Sequence, residues 1–170
     1  NLEDEPSFVL VVSWALAVLR NEGPYPILAV TGEQGSAKST FSEMLRSLLD
    51  PNTAALRSLP REERDLYISA NGSHVLAFDN VSGVPHWLSD AFCRIATGGA
   101  FALRQLYSDQ DEVLFDACRP ILLNGIDDLL SRPDLADRAI LLNLTSIPED
   151  KRRAEGELWS EFNALRPAIL

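Results

Sequence analysis

Gly32-Glu33-Gln34-Gly35-Ser36-Ala37-Lys38-Ser39-Thr40 stands between a short apolar run, Tyr25-Pro26-Ile27-Leu28-Ala29-Val30, and a helix-like stretch from Ser39 to Asp50. A strand entering a glycine-rich turn that opens a helix is the setting of the G-x-x-x-x-G-K-[ST] pattern, here with Ala37 where the last glycine usually stands. Backbone N–H groups of such a loop and of the helix start converge on a phosphate, and the lysine ammonium reaches the outer oxygens. Lys38 would supply that charge, and the Ser39 hydroxyl would hold Mg²⁺. The alternative is a plain glycine-rich turn with an exposed lysine. Against it, only two of the 15 basic residues are lysines, and one of the two stands at position 38.

Working outward, three further short apolar runs follow: Val75-Leu76-Ala77-Phe78, Ile121-Leu122-Leu123 and Ile140-Leu141-Leu142-Asn143-Leu144. Continuous apolar runs of this length suit strands covered on both faces. Between them lie helix-like stretches at Arg61 to Asn71, Trp87 to Ala96 and Glu149 to the end, which predicts an α/β fold with a mainly parallel sheet and flanking helices. Ala54 to Leu59 reads as a further, weaker strand. One piece breaks the rhythm: Phe101 to Tyr107 and Glu112 to Ala117 alternate in the strand manner around Ser108-Asp109-Gln110-Asp111, which predicts an inserted β-hairpin. The expected organisation is an N-terminal helix packed on the core over residues 1–24, a nucleotide-type core over 25–148, and the start of a C-terminal helix over 149–170. Because the chain begins at Asn1 and stops inside that helix, it reads as a domain of something longer.

A magnesium site needs a carboxylate at the end of a neighbouring strand. Val75-Leu76-Ala77-Phe78-Asp79 offers one, four apolar residues and then an acid, the Walker B pattern. Any strand leading into an Asp-containing turn looks the same, so Asp79 gains weight only beside the Gly32–Thr40 loop. Asn80 follows, where many hydrolysing proteins of this kind carry a glutamate. An amide orients water but is no general base, so hydrolysis is slow, or another acid such as Glu33 serves, or the role differs.

Composition narrows the function classes. The chain has 170 residues, 46% of them apolar, enough for a real core, and its 15 basic against 25 acidic residues give a net charge of −10. Contact with nucleic acid must then be local. Two cysteines, Cys93 and Cys118, and two histidines, His74 and His86, lack the spacing of a disulfide framework or a zinc site. These four, with Trp14, Trp87 and Trp159, read as packing or surface residues, and a reducing, cytoplasmic location fits. Phe8 to Leu19 is a run of 12 residues preceded by acids, where a membrane span needs roughly 20. It reads instead as a buried helix stopped by Gly23-Pro24, with no signal peptide and no membrane partner.

With these motifs in order, the chain resembles an AAA+ P-loop ATPase, and within that group the superfamily 3 helicase-like domains of phages and mobile elements, often fused to a primase. The likeness runs from about Gly23 to Thr145. It implies ATP and Mg²⁺ as cofactors, with Gly32, Glu33, Gln34, Gly35, Ser36, Ala37, Lys38, Ser39 and Thr40 around the phosphates and with Ser39 and Asp79 at the metal. It also implies a sensor at Asn124, which read alone is an Asn-Gly turn. Arg138 becomes the nominee for an arginine finger, a cation offered to the next subunit's nucleotide. Arg138 could instead pair with Asp134 or Asp137 on the surface, and Arg132 is the fallback.

The resemblance further implies a homo-oligomeric ring, a hexamer, acting on DNA through the hairpin, where Arg104, Tyr107 and Arg119 are the nominees. The acidic tip from Ser108 to Glu112 departs from the family's basic tip, and an ordinary packed hairpin is the alternative. Three functions compete on these residues: an ATP-driven DNA helicase-type motor in mobile-element replication, a nucleotide-gated assembly module with little hydrolysis, and a small-molecule or nucleoside kinase.

Overall fold

Four apolar strands line up as the short runs predict. In the computed structural model, which describes residues 4–104, 112–126 and 129–169, they are β1 (Ile27–Gly32), β2 (Leu76–Val81), β5 (Ile121–Gly125) and β6 (Ala139–Leu144). They form one parallel sheet in the order β2-β5-β1-β6. Because side chains alternate across a strand, each run feeds two cores. Ile27, Ala29, Phe78 and Leu123 face α3 (Glu63–Gly72) and α4 (His86–Thr97), whereas Leu28, Val30, Ala77 and Leu122 face α1 (Glu5–Val18) and α2 (Lys38–Leu49). Both faces of the sheet are therefore covered, and the fold class is the expected α/β one.

The inserted hairpin is present as a separate antiparallel pair, β3 (Gly99–Arg104) and β4 (Glu112–Ala117), in register from Gly99↔Ala117 to Arg104↔Glu112. A short helix, α5 (Pro133–Ala136), precedes β6, and α6 (Glu155–Ile169) ends the described chain.

Three expectations are corrected. The N-terminal helix is only half covered: Val11, Trp14 and Val18 form its buried stripe, while Phe8, Val9, Leu16 and Leu19 are exposed. One face of a helix is all that a sheet can cover, and an all-apolar sequence does not show which. Trp14 fixes the choice by donating its indole N–H to the Pro26 carbonyl at 2.7 Å.

The Ala54–Leu59 strand shrinks to a single bridge, Arg57 to Phe78. Its neighbouring carbonyls, Ala54 and Ala55, accept instead from the Arg46 guanidinium at 3.2 and 2.7 Å. That guanidinium is 1% exposed and must find partners inside the protein.

The C-terminal helix does not start at Glu149. Glu149–Lys151 is a single 3-10 turn and Arg152 is extended, so the continuous helix begins at Glu155. Arg166 of α6 then donates to the Ser47 carbonyl at 2.6 Å, which seats this helix on α2.

Candidate functional site

Parallel strands bring their carboxyl ends to one edge of the sheet, the usual place for a ligand in open α/β folds. Here β1 ends at Gly32, β2 carries Asp79 near its end and β5 carries Asn124. The strand order puts β5 between β1 and β2, so the three tips surround one cavity of about 460 Å³, lined among others by Lys38, Ser39, Asp79, Asn80 and Asn124.

The loop is held open by backbone geometry. Gly32 has φ +150, and a Cβ there would strike the Leu144 carbonyl and approach the Ser36 hydroxyl at 2.8 Å. Ala37, in the glycine's usual place, nonetheless takes the left-handed conformation, φ 58 and ψ 32. An L-residue pays about 1–2 kcal/mol for that, so the loop requires the turn whichever residue occupies it. The Lys38 ammonium donates to the Gly32 carbonyl at 2.8 Å and the Glu33 carbonyl at 2.9 Å. Those bonds use two of its three protons and fix the charge over the loop.

Across the cavity the Ser39 hydroxyl donates to Asp79 Oδ1 at 3.1 Å, and the same oxygen accepts the Asn80 backbone N–H at 2.7 Å. Asn80 is itself left-handed, φ 53, a conformation that Asn tolerates better than most residues. Asn124 is 1% exposed, and its amide donates to Ser42 Oγ at 3.4 Å. Beside it, a Cβ on Gly125 would run into the Val81 carbonyl, so glycine is what lets β5 close on β2 there. An ammonium, a hydroxyl facing a carboxylate and a buried amide therefore share one cavity. That donor set suits a polyphosphate with a hard divalent cation, which prefers oxygen ligands and keeps several waters.

Two neighbours of this site escaped the sequence reading. Glu43 lies one helical turn beyond Ser39, the one signal that could have found it. It lines an adjoining cavity of about 630 Å³ with Asp79, Asn80 and Trp159. Burial, followed by the charges of Glu155 and Asp79, pushes its carboxyl above the ordinary range. The other is Arg152, whose place over Gly35 no local pattern announces.

The remaining nominees lie elsewhere. Arg138 precedes β6 at the amino end of the sheet, where its carbonyl accepts from Ile27 N at 2.9 Å. Its guanidinium donates to the Asp134 carbonyl at 2.7 Å, a backbone contact in place of the surface ion pair with Asp134 or Asp137. Arg132, by contrast, is pinned by Asp90 and Asp134, each at 3.0 Å, and donates to His86 Nδ1 at 2.7 Å. An arginine only donates, so that histidine nitrogen accepts. The hydrogen bond from Arg132 holds the Asp134 carboxyl below its usual range.

Arg119 spends its guanidinium on the carbonyls of Ala70, at 2.9 Å near the end of α3, and Cys118, at 3.0 Å. It sits at the root of the hairpin as a brace. Arg104 ends β3 opposite Glu112, and Tyr107 lies outside the described residues.

With the geometry in place, comparison with known proteins adds a family. The model of the actinomycete integrative conjugative element replication protein, AICE RepA, matches residues 1–170. The chain belongs to that family. Among curated proteins none matches. Among solved structures, the apo A form of the NrS-1 C-terminal region is similar, with a TM-score of 0.65 at 13% identity over 96% of this chain and 40% of that one. The JCV helicase, solved with a bound thiazolopyridinyl-phenoxyphenyl acetamide, is similar with a TM-score of 0.58 at 12% identity over 97% of this chain and 48% of that one.

This RepA-family chain thus spans less than half the length of either structure, and the likeness is one of fold, an α/β domain with a parallel sheet. The family, by its description, is one of replication proteins of integrative conjugative elements. Among the described residues no helix is long and apolar enough to cross a membrane.

Proposed function

We propose that this chain binds Mg²⁺-ATP and hydrolyses it as one subunit of a homo-oligomeric ring, a hexamer, that works on DNA while the element replicates, in the manner of superfamily 3 AAA+ helicases. The observation that carries the reading is the convergence of Lys38, Ser39, Asp79 and Asn124 on one cavity at the tips of three adjacent strands. Lys38 neutralises the outer phosphate oxygens. Ser39 and Asp79, already 3.1 Å apart, would hold the metal, Asp79 through water. A Mg²⁺ ion held by these residues would supply neutralisation of phosphate charge. The Asn124 amide, fixed by Ser42, points a donor at the γ-phosphate or its attacking water, and Arg138 serves the nucleotide of a neighbouring copy.

Asn80 favours a second reading, a nucleotide-gated assembly module with little hydrolysis. Its backbone N–H is committed to Asp79, and its amide takes no proton from water. One experiment separates the two: ATPase activity with and without single-stranded DNA, alongside the mass in solution with and without nucleotide. The motor reading expects Mg²⁺-dependent turnover that DNA stimulates. Nucleotide-dependent assembly with negligible turnover supports the module, and the absence of nucleotide binding removes both.

A further inference from the structure

β6 is the edge strand beside β1, and Leu144 at its end pairs with Gly32 at the start of the loop. The chain leaving β6 is therefore delivered to the loop and touches it. Ile147 N donates to the Gly35 carbonyl at 3.2 Å. After the 3-10 turn, Arg152 folds back, its Nε donating to the Ile147 carbonyl at 3.0 Å. The guanidinium comes so close to the loop that a Cβ on Gly35 would lie 2.8 Å from its Nη2, and Gly35 has φ +84. Glycine at position 35 thus serves both the turn and the approach of this cation.

Among the described residues no carboxylate lies within ion-pair distance of Arg152, a property it shares with Arg119 and Arg138 but not with Arg46, Arg94, Arg132 or Arg153. What sets it apart from Arg119 and Arg138 is its place over the loop. In a chain of net charge −10, an exposed guanidinium kept clear of acids and braced against an anion-binding loop has the form of a phosphate ligand, since its planar fork matches phosphate oxygens.

We propose that Arg152 is a nucleotide-binding residue supplied by the same subunit, contacting the α-phosphate and ribose side of a bound nucleoside di- or triphosphate. The side follows from the strand order. Asp79 and Asn124, which mark the γ end, sit on β2 and β5 to one side of β1, and Arg152 arrives from β6 on the other. It therefore reads the part that ADP and ATP share, which also ties the start of α6 to nucleotide occupancy. The proposal rests on the phosphate-loop reading of Gly32–Thr40.

The test is calorimetric titration of the chain with ADP and with a non-hydrolysable ATP analogue, in wild type, Arg152→Ala, Arg152→Lys and Lys38→Ala, with thermal unfolding of each as a check. Arg152→Ala should weaken both nucleotides by a similar factor, roughly tenfold or more for one lost charge-assisted contact. The unfolding midpoint should stay at the wild-type value, and Arg152→Lys should recover part of the affinity. Where turnover is measurable, KM for ATP rises while kcat holds. Unchanged affinities in Arg152→Ala, with Lys38→Ala losing binding, overturn the proposal and leave the loop reading standing. A loss confined to the ATP analogue overturns the α-side assignment. A wild type that binds neither nucleotide, or a Lys38→Ala that binds both normally, removes the loop reading and this proposal with it.

Discussion

The two ends of the parallel sheet differ in what their polar side chains face. At the carboxyl end, Lys38, Ser39, Asp79 and Asn124 line one cavity, the site proposed above for a phosphate and a divalent cation. At the amino end lies Arg138, exposed, with no carboxylate within ion-pair distance among the described residues and only a backbone carbonyl as guanidinium partner. β1 and β6 run in parallel register from Ile27↔Ala139 to Gly32↔Leu144, which at about 3.3 Å per residue separates the two ends by roughly 17 Å. An arginine side chain does not span that distance from its own strand. A cation at one end can complete a phosphate site at the other only in a neighbouring copy. The comparison also separates Arg138 from Arg132, which two carboxylates and a histidine hold in place.

The comparison can be broken most severely at the carboxyl end. Lys38→Ala should abolish nucleotide binding, a loss on the order of a hundredfold or more for a desolvated charge–phosphate contact. Its unfolding midpoint should stay close to wild type, because the ammonium touches only loop carbonyls. Calorimetric titration reads the first and thermal unfolding the second, and normal affinity would show that the two ends do not differ in the way described.

Asp79→Asn is the next largest. It keeps the Ser39 and Asn80 contacts within reach of an amide oxygen but removes the charge, so nucleotide still binds while the magnesium dependence of its affinity disappears. A magnesium titration that matches wild type would put the metal acid elsewhere, with Glu43 the nearest carboxylate lining the adjoining cavity.

The smallest effect sharpens the loop itself. Ala37→Gly relieves the left-handed strain at φ 58 and should stabilise the fold by about 1 kcal/mol, a rise of roughly 2–4 °C in the unfolding midpoint. A fall in that midpoint would mean that the alanine methyl makes contacts worth more than the strain.

The sheet and the loop were legible because their signals are local. An apolar run, a glycine-rich turn and a helix start follow one another within a few residues, and Ala37 hides only the last glycine without disturbing the geometry it stands for. The order of the strands, which brings Asp79 and Asn124 to the loop, has no signature in the sequence, since spacing alone does not order a sheet; the resemblance nominated Asn124 without it. Other features depend on contacts far along the chain. The exposed face of α1 could not be told from its buried face when Phe8, Leu10, Val11, Val12 and Leu16 are all apolar. The Ala54–Leu59 strand fails because a buried Arg46 takes its carbonyls. Arg119 looked available to DNA because its partners, Ala70 and Cys118, are backbone carbonyls without any signature in the sequence. Arg152 was invisible for the same reason, its significance lying in its contact with Gly35, far away along the chain.

The claim that catalysis is shared between copies is tested most directly by mixing two inactive variants. Arg138→Ala should bind ATP as wild type does and hydrolyse it about 10³-fold more slowly, the scale of a lost arginine finger. Lys38→Ala should bind none but still offer its Arg138 to a neighbour. Mixed under conditions where co-assembly is demonstrated by mass, the pair should regain ATPase activity, since an intact Lys38 site of one variant then meets the intact Arg138 of the other. A mixture that co-assembles and stays inactive would contradict the account and place Arg138 in a role within its own subunit.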